Sequence, residues 1–425
     1  MSGEDVSGRD PDGAGAVEGP HGAQYGPGGQ DGHGRGGGPG GRGGGGRTPE
    51  PVGEGPDFTA EQVARGRALR RQVLPLSLAS AAASLALPLA LGLTSGGARL
   101  VGAFGTGWAP RVVGAAVTLV VLGEAVGLPF AARGRVVRVR YGLVTQGWGG
   151  WAVDRVRGLA VSLPLALGAL FAVYALAGVT GRWWVWAALG AAALAVLLSF
   201  LAPLVLEPLF NRFTPMEPGP LRTDLLALAA RDGVAVRDVL VADASRRTTA
   251  LNAYVSGLGR TRRIVVHDTL LATADPREVE LVVAHELGHV VHHDVARGTL
   301  LGALGAAAGV CVLAAVVTWE PLLHAAGVRH FADPRSAWLL AAAAAVGGAL
   351  AGPLTAVLSR RIERRADQHA LDTTGDPATF IAMQRRLTVA NVADPAPPRV
   401  AHALLGSHPT AAERIAAARA WAAAG

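Results

Sequence analysis

From residue 73 onward the chain alternates between apolar stretches about twenty residues long and shorter polar segments dense in arginine. Six stretches are long enough to cross a hydrocarbon core about 30 Å thick as helices. They lie at 73–93, 111–131, 159–180, 183–206, 297–317 and 337–357. Only Thr180, Gly181 and Arg182 separate the third from the fourth, which predicts a tight helical hairpin. Pro164, Pro203 and Pro353 fall inside spans and are tolerable there, because neighbouring helices re-satisfy the freed backbone groups. Short arginine-rich loops stay on the cytoplasmic side. Residues 132–157 carry six arginines, against Arg99 alone in 94–110 and Arg329 and Arg335 in 318–336. Six spans then place the N-terminal tail and residues 132–157, 207–296 and 358–425 together on the cytoplasmic face.

The polar parts differ in kind. Residues 1–56 hold 22 of the 58 glycines and almost no large apolar side chains. Such a segment cannot bury enough surface to offset the entropy of ordering, so a disordered tail is expected, and it lacks the apolar core of a signal peptide. Residues 207–296 read as a small α+β unit inserted between the fourth and fifth spans. Leu221, Leu225, Leu226 and Leu228 give 219–232 an apolar helical face, while 236–242 and 263–266 have strand character. Leu251–Gly257 fits either an edge strand or a loop. The fold class expected is therefore mainly α, a polytopic membrane helical bundle with a cytoplasmic α+β domain. It divides into the tail (1–56), a membrane region with four spans (57–206), and a C-terminal region that holds the α+β domain and two further spans (207–425).

Composition narrows the chemistry. Half the residues are hydrophobic and 17% are charged, and all 39 cationic side chains are arginine. A net charge of +7 invites a nucleic-acid reading, but the arginines cluster beside apolar runs with no aromatic residues interleaved to stack on bases. Membrane-flanking charge accounts for them, and no nucleic-acid partner is expected. The single cysteine, Cys311, leaves any metal to His, Asp or Glu.

The sharpest pattern is His285-Glu286-Leu287-Gly288-His289. On a helix, histidines at i and i+4 share a face and can both reach one zinc, with the intervening glutamate beside it as general base. Asp275 as N-cap, Pro276 in the first turn and Glu278 three residues after the cap predict that helix independently. An open peptidase site needs a third protein ligand. Glu363, in SRRIERRADQHALD, returns to the same membrane face after two antiparallel spans. His369, and His293 one turn beyond His289, are rival ligands, and His293 is also a candidate for a supporting position beside the metal. Asp367, one turn after Glu363, suits acceptance of a hydrogen bond from a ligand histidine.

In chain order, NAYVSGLGRTRRIVVHDTLL, AHELGHVVHHD, SRRIERRADQHALD and SHPTAAERI resemble the type I CAAX prenyl protease family of integral-membrane zinc metallopeptidases, over roughly residues 73–420. The resemblance implies one zinc per chain on His285, His289 and Glu363, with Glu286 as general base. It implies that Asn252, Ala253 and Tyr254 lie on an edge strand that pairs with extended substrate. It also implies that His408 and Arg414 approach the site to stabilise the oxyanion or orient a carboxylate, and that Asp367 is a supporting acid. The expected partners are the bilayer and peptide or protein substrates, and the expected location is a bacterial cell membrane. Alanine-rich, lysine-free composition suggests high-GC bacterial coding, so misfolded or regulated membrane proteins are the expected substrates, as for HtpX-type relatives, with CAAX-type processing of lipidated proteins as the alternative. A polytopic zinc transporter, for which intramembrane Glu124 speaks, and a scaffold with an inactive site are the readings from other classes.

Overall fold

The computed structural model of the chain describes residues 57–424; the glycine-rich tail expected to be disordered lies outside the described residues. Among the described residues, six helices are long and apolar enough to cross a membrane. The first four belong to α1 (Ala60–Gly92), α3 (Trp108–Arg140), α4 (Trp148–Val179) and α5 (Trp183–Leu201), with the short α2 (Ser95–Gly102) after α1. Helix α1 starts well before its apolar run. Residues 60–72 carry Glu61, Arg65, Arg67, Arg70 and Arg71, too polar to span but good helix formers, and a Thr59/Gln62 capping box starts them. Pro203, which has no N–H to donate, falls in a single π turn (Ala202–Leu206) that ends the fourth span. The four-residue α6 (Glu207–Phe210) follows.

The inserted unit contains β1 (Phe213–Pro215), α7 (Pro220–Arg231), β2 (Asp238–Ala242), β3 (Ala253–Ser256), β4 (Arg263–His267), α8 (Asp268–Leu271) and α9 (Pro276–Val291). The sheet order is β1-β2-β4-β3, with β2 and β4 parallel and both outer pairings antiparallel. Ile264, Val265 and Val266 of β4 are all buried, as expected for a central strand covered on both faces. Among the described residues strand β3 has no partner on its outer side, so Leu251–Gly257 contains an edge strand.

The chain then forms α10 (Asp294–Val317), α11 (Glu320–Ala325), α12 (Ala337–Thr374), α13 (Pro377–Ala390), α14 (Arg399–Leu405) and α15 (Ala411–Ala424). Helix α12 runs for 38 residues without a break, so the sixth span and Glu363 belong to one rod. Leu225, Val239, Ile264, Leu281, Leu287, Phe380 and Ile415 join sheet, α9 and the C-terminal helices in one core. Asp57, just ahead of α1, accepts hydrogen bonds from Arg385 of α13 (2.5 Å) and Arg419 of α15 (2.7 Å). At the other end of the bundle, Trp183 and Tyr174 stack on Phe331, with ring centroids 4.5 and 5.5 Å apart.

Candidate active site

The site begins with the start of α9. Asp275 accepts from the Arg277 N–H, Pro276 occupies the first turn, and the Glu278 carboxylate accepts from the Asp275 N–H, as the spacing predicts. Ten residues on, the His285 and His289 rings stand 5.0 Å apart on one face. Gly288 sets how closely α9 meets α12, since a β-carbon there would lie 3.1 Å from the His369 β-carbon and 3.2 Å from the Ala366 α-carbon. The unspecified fourth position of the His-Glu-x-x-His pattern thus has a steric job: a residue without a side chain lets Glu363 approach the histidines.

Ligand-capable atoms of His285, Glu286 and His289 lie within 4.8 Å of one another. Glu363 meets both histidines as well: its Oε2 is 3.4 Å from His285 Nε2, and its Oε1 is 3.8 Å from His289 Nε2. Ligands sharing a tetrahedral zinc are separated by about 3.3 Å, given metal–ligand lengths near 2.0–2.1 Å. The Glu363 distances fit that separation. Glu286, one residue past His285, is rotated about 100° around the helix and lines the cavity over the histidines.

The far side of each imidazole is also engaged. His285 Nδ1 is 3.0 Å from Asp367 Oδ1, and His289 Nδ1 is 3.0 Å from Asp294 Oδ2. Each aspartate is buried and ion-paired to an arginine: Asp367 with Arg414, through Nε at 2.8 Å and a second contact to the guanidinium, and Asp294 with Arg365 at 2.6 Å. A proton held on Nδ1 by a carboxylate leaves the Nε2 lone pair facing inward. Both lone pairs then converge on the Glu363 carboxylate, an arrangement that calls for a cation between them. Without a metal, burial opposes the charged form of His285, but hydrogen bonds to Asp367 and Glu363 prevail and push its pKa up to about 9, so a cation binding there would displace a proton from Nε2. Burial also raises the Glu286 pKa above the usual carboxylate value, against the pull of the two histidines, which is the direction useful to a general base.

Asp294 and Arg365 are the functional residues that sequence reasoning misses, and His293 is the reason. Continuing α9 past His289 would bring His293 round to the site. Instead α9 stops at Val291, His293 takes a left-handed conformation (φ 55°), and Asp294 opens α10. Among the described residues, no hydrogen bond or ion pair joins the His293 side chain to His285 or His289. His369 is likewise occupied elsewhere, with its Nε2 3.0 Å from Asp232 of the α7 C-terminus. Replacing Asp294 by Asn is expected to weaken metal affinity by about 10–100-fold, the usual result of losing an outer partner of a ligand histidine. Competition with a chromogenic chelator measures it, and unchanged affinity would remove Asp294 from the site.

Over the histidines opens a cavity of about 330 Å³ lined by Asn252, Ala253 and Tyr254, by Glu286 and Glu363, and by Met383, His408 and Arg414. His408 is exposed at its lip, with Nε2 3.5 Å from Glu363 Oε1 and Nδ1 hydrogen-bonded to the Ser407 hydroxyl at 2.8 Å. The position of Arg414 is that of a residue orienting Asp367. The edge strand β3 forms one wall.

A paired-histidine helix, a facing glutamate and an unpaired strand edge, mounted on a bundle of membrane helices, define a membrane-embedded metallopeptidase. Residues 216–422 match the model of peptidase family M48, and residues 48–212 match the CAAX prenyl protease N-terminal model, described as five membrane helices. The uncharacterized metalloprotease YhfN of Bacillus subtilis is 30% identical over 311 residues, 72% of each chain. CAAX prenyl protease 1 of Saccharomyces cerevisiae is 40% identical over 95 residues, 22% of this chain and 21% of the yeast protein. The crystal structure of S. mikatae Ste24p superposes with a TM-score of 0.77 over 85% of this chain and 90% of that one, at 20% identity, and so shares the fold. The chain belongs to peptidase family M48 and is a multi-pass membrane metalloprotease, of a family whose metal is generally zinc.

Proposed function

We propose that the chain hydrolyses peptide bonds in membrane-associated or misfolded proteins, using one zinc ion held by His285, His289 and Glu363, with Glu286 as general base. The observation that carries this reading is the convergence of two histidine Nε2 atoms on Glu363, each imidazole oriented from behind by a buried aspartate. When bound, the metal supplies Lewis-acid polarisation of the scissile carbonyl and lowers the pKa of water toward neutrality. Glu286 takes the proton from the attacking water and delivers it to the departing amine as the C–N bond breaks. His408, at the cavity lip, is the candidate for stabilising charge on the carbonyl oxygen, while Arg414 orients the Asp367 carboxylate.

Substrate recognition follows from β3. The His267 N–H donates to the Asn252 carbonyl, so Asn252, Tyr254 and Ser256 direct their backbone groups toward β4. In an antiparallel ladder the intervening residues, Ala253 and Val255, direct theirs outward. An extended peptide adds there as a strand, bound through its backbone and so with tolerance of sequence. The arginine distribution supports a cytoplasmic orientation for this site, and the alanine-rich, lysine-free composition supports a bacterial cell membrane. CAAX-type processing of lipidated proteins remains the alternative substrate class, supported by the yeast relative's name. Zinc transport is not favoured: the histidine pair precedes α10 and does not line a span, and Glu124 is ion-paired with Arg155 at 3.1 Å.

Stripping the purified protein with a chelator is expected to abolish cleavage of a fluorogenic peptide, and one equivalent of zinc is expected to restore it. Full cleavage by protein shown to be metal-free would overturn the proposal.

A further inference from the structure

Helix α14 carries an apolar surface that no part of the catalytic site uses. Val400, Leu404 and Leu405 are 73%, 49% and 58% exposed, and Ala403 is exposed beside them. Val400 and Leu404 are four residues apart and lie on one helical face. The inward positions are Ala401 and His402, whose Nε2 is 3.8 Å from Glu413. In an aqueous surface such a patch has no partner.

Its height relative to the bilayer is set by Arg360. That guanidinium donates to the carbonyls of His402 (3.3 Å), Ala403 (3.0 Å) and Gly406 (2.5 Å), clasping the C-terminal end of α14. Arg360 stands three residues past Val357, the end of the sixth apolar run, or about 4.5 Å along the continuous α12. Leu350 and Leu354 on the preceding turns are 77% and 73% exposed, as side chains facing lipid are. The helix is therefore tied to the point where α12 leaves the hydrocarbon. Arg361 and Arg364, one and four residues past Arg360 on α12, and Arg399, the first residue of α14, are all exposed and add positive charge to this part of the surface. An apolar face with a basic rim at a membrane boundary is the signature of a helix lying in the interface.

We propose that α14 seats in the anionic bilayer surface, with Val400 and Leu404 among the acyl chains and Arg361 and Arg399 at the headgroups. The contact has a consequence for the site. Three residues past α14, His408 stands 3.5 Å from Glu363, and Arg360 holds the Gly406 carbonyl in the connection between them. Seating α14 fixes the lip of the cavity at the membrane surface, so a chain emerging from the bilayer reaches the site without crossing open water.

The test uses the lone native cysteine to advantage. In a Cys311→Ala background, Leu404→Cys is spin-labelled in full-length protein, reconstituted in vesicles of phosphatidylcholine and phosphatidylglycerol, and probed for collisions with oxygen and with a water-soluble nickel chelate. Asp224→Cys, exposed on α7, is the aqueous control. The expected result is oxygen collision exceeding nickel collision at Leu404 and the reverse at Asp224, with the Leu404 ratio falling when Arg361 and Arg399 are both changed to Gln. A Leu404 label as open to nickel as the control overturns the proposal, as does a label shielded from both reagents, which would mean protein covers α14. Neither result depends on catalysis.

Discussion

Glu286→Gln is expected to leave a folded protein that still takes up one zinc and has lost about two to four orders of magnitude in kcat, the range assigned to a positioned general base. The substitution keeps the size and hydrogen-bonding shape of the side chain while removing its ability to accept a proton. Because His285, His289 and Glu363 form a facing set without it, metal stoichiometry should match the wild type. KM should change little, since substrate pairing rests on the β3 backbone. Single-turnover cleavage of a quenched peptide together with metal analysis of the same sample checks both halves. Wild-type cleavage with zinc in place would mean that proton transfer belongs to another group at the cavity, of which His408 is nearest Glu363.

What could be read in advance divides along physical lines. The six spans were legible because length and hydropathy alone decide whether a helix crosses a membrane. The approach of Glu363 to the histidines was legible in two ways: two antiparallel spans bring it back to the His285 and His289 side, and the segment SRRIERRADQHALD carries the family resemblance. The start of α1 was not, because residues 60–72 are helical yet too charged to register as part of a span. Asp294 was hidden by a break that has neither glycine nor proline, a single left-handed residue at His293, which a periodicity argument reads straight through. Strand β1, three residues long, is too short to carry an alternating pattern and forms by pairing with β2. The interfacial face of α14 needed the tertiary contact with Arg360, since Val400, Leu404 and Leu405 in sequence look like ordinary buried positions.

Glu363→Gln should have the other large effect, and for a different reason than Glu286→Gln. With a neutral amide in place of the carboxylate, two imidazoles and an amide would face the metal, and the set would lose its only negative ligand. Zinc affinity is expected to fall by more than the roughly 100-fold upper end seen for outer partners, with hydrolysis lost in proportion to occupancy and partly recovered at high zinc. The change should not unfold α12. Its neighbours Ala366, Ala370 and Leu371 are packed in the core independently of the glutamate, and the metal-free variant should retain wild-type circular dichroism. The discriminating comparison is His408→Ala, whose imidazole lies 3.5 Å from the same carboxylate but is exposed to solvent. If Glu363 is the third ligand, removing His408 leaves zinc binding intact and slows turnover alone. If instead Glu363→Gln keeps its zinc while His408→Ala loses it, the roles are exchanged: the third ligand comes from the Ser407–His408 loop that Arg360 anchors, and α12 supplies the carboxylate that steadies it.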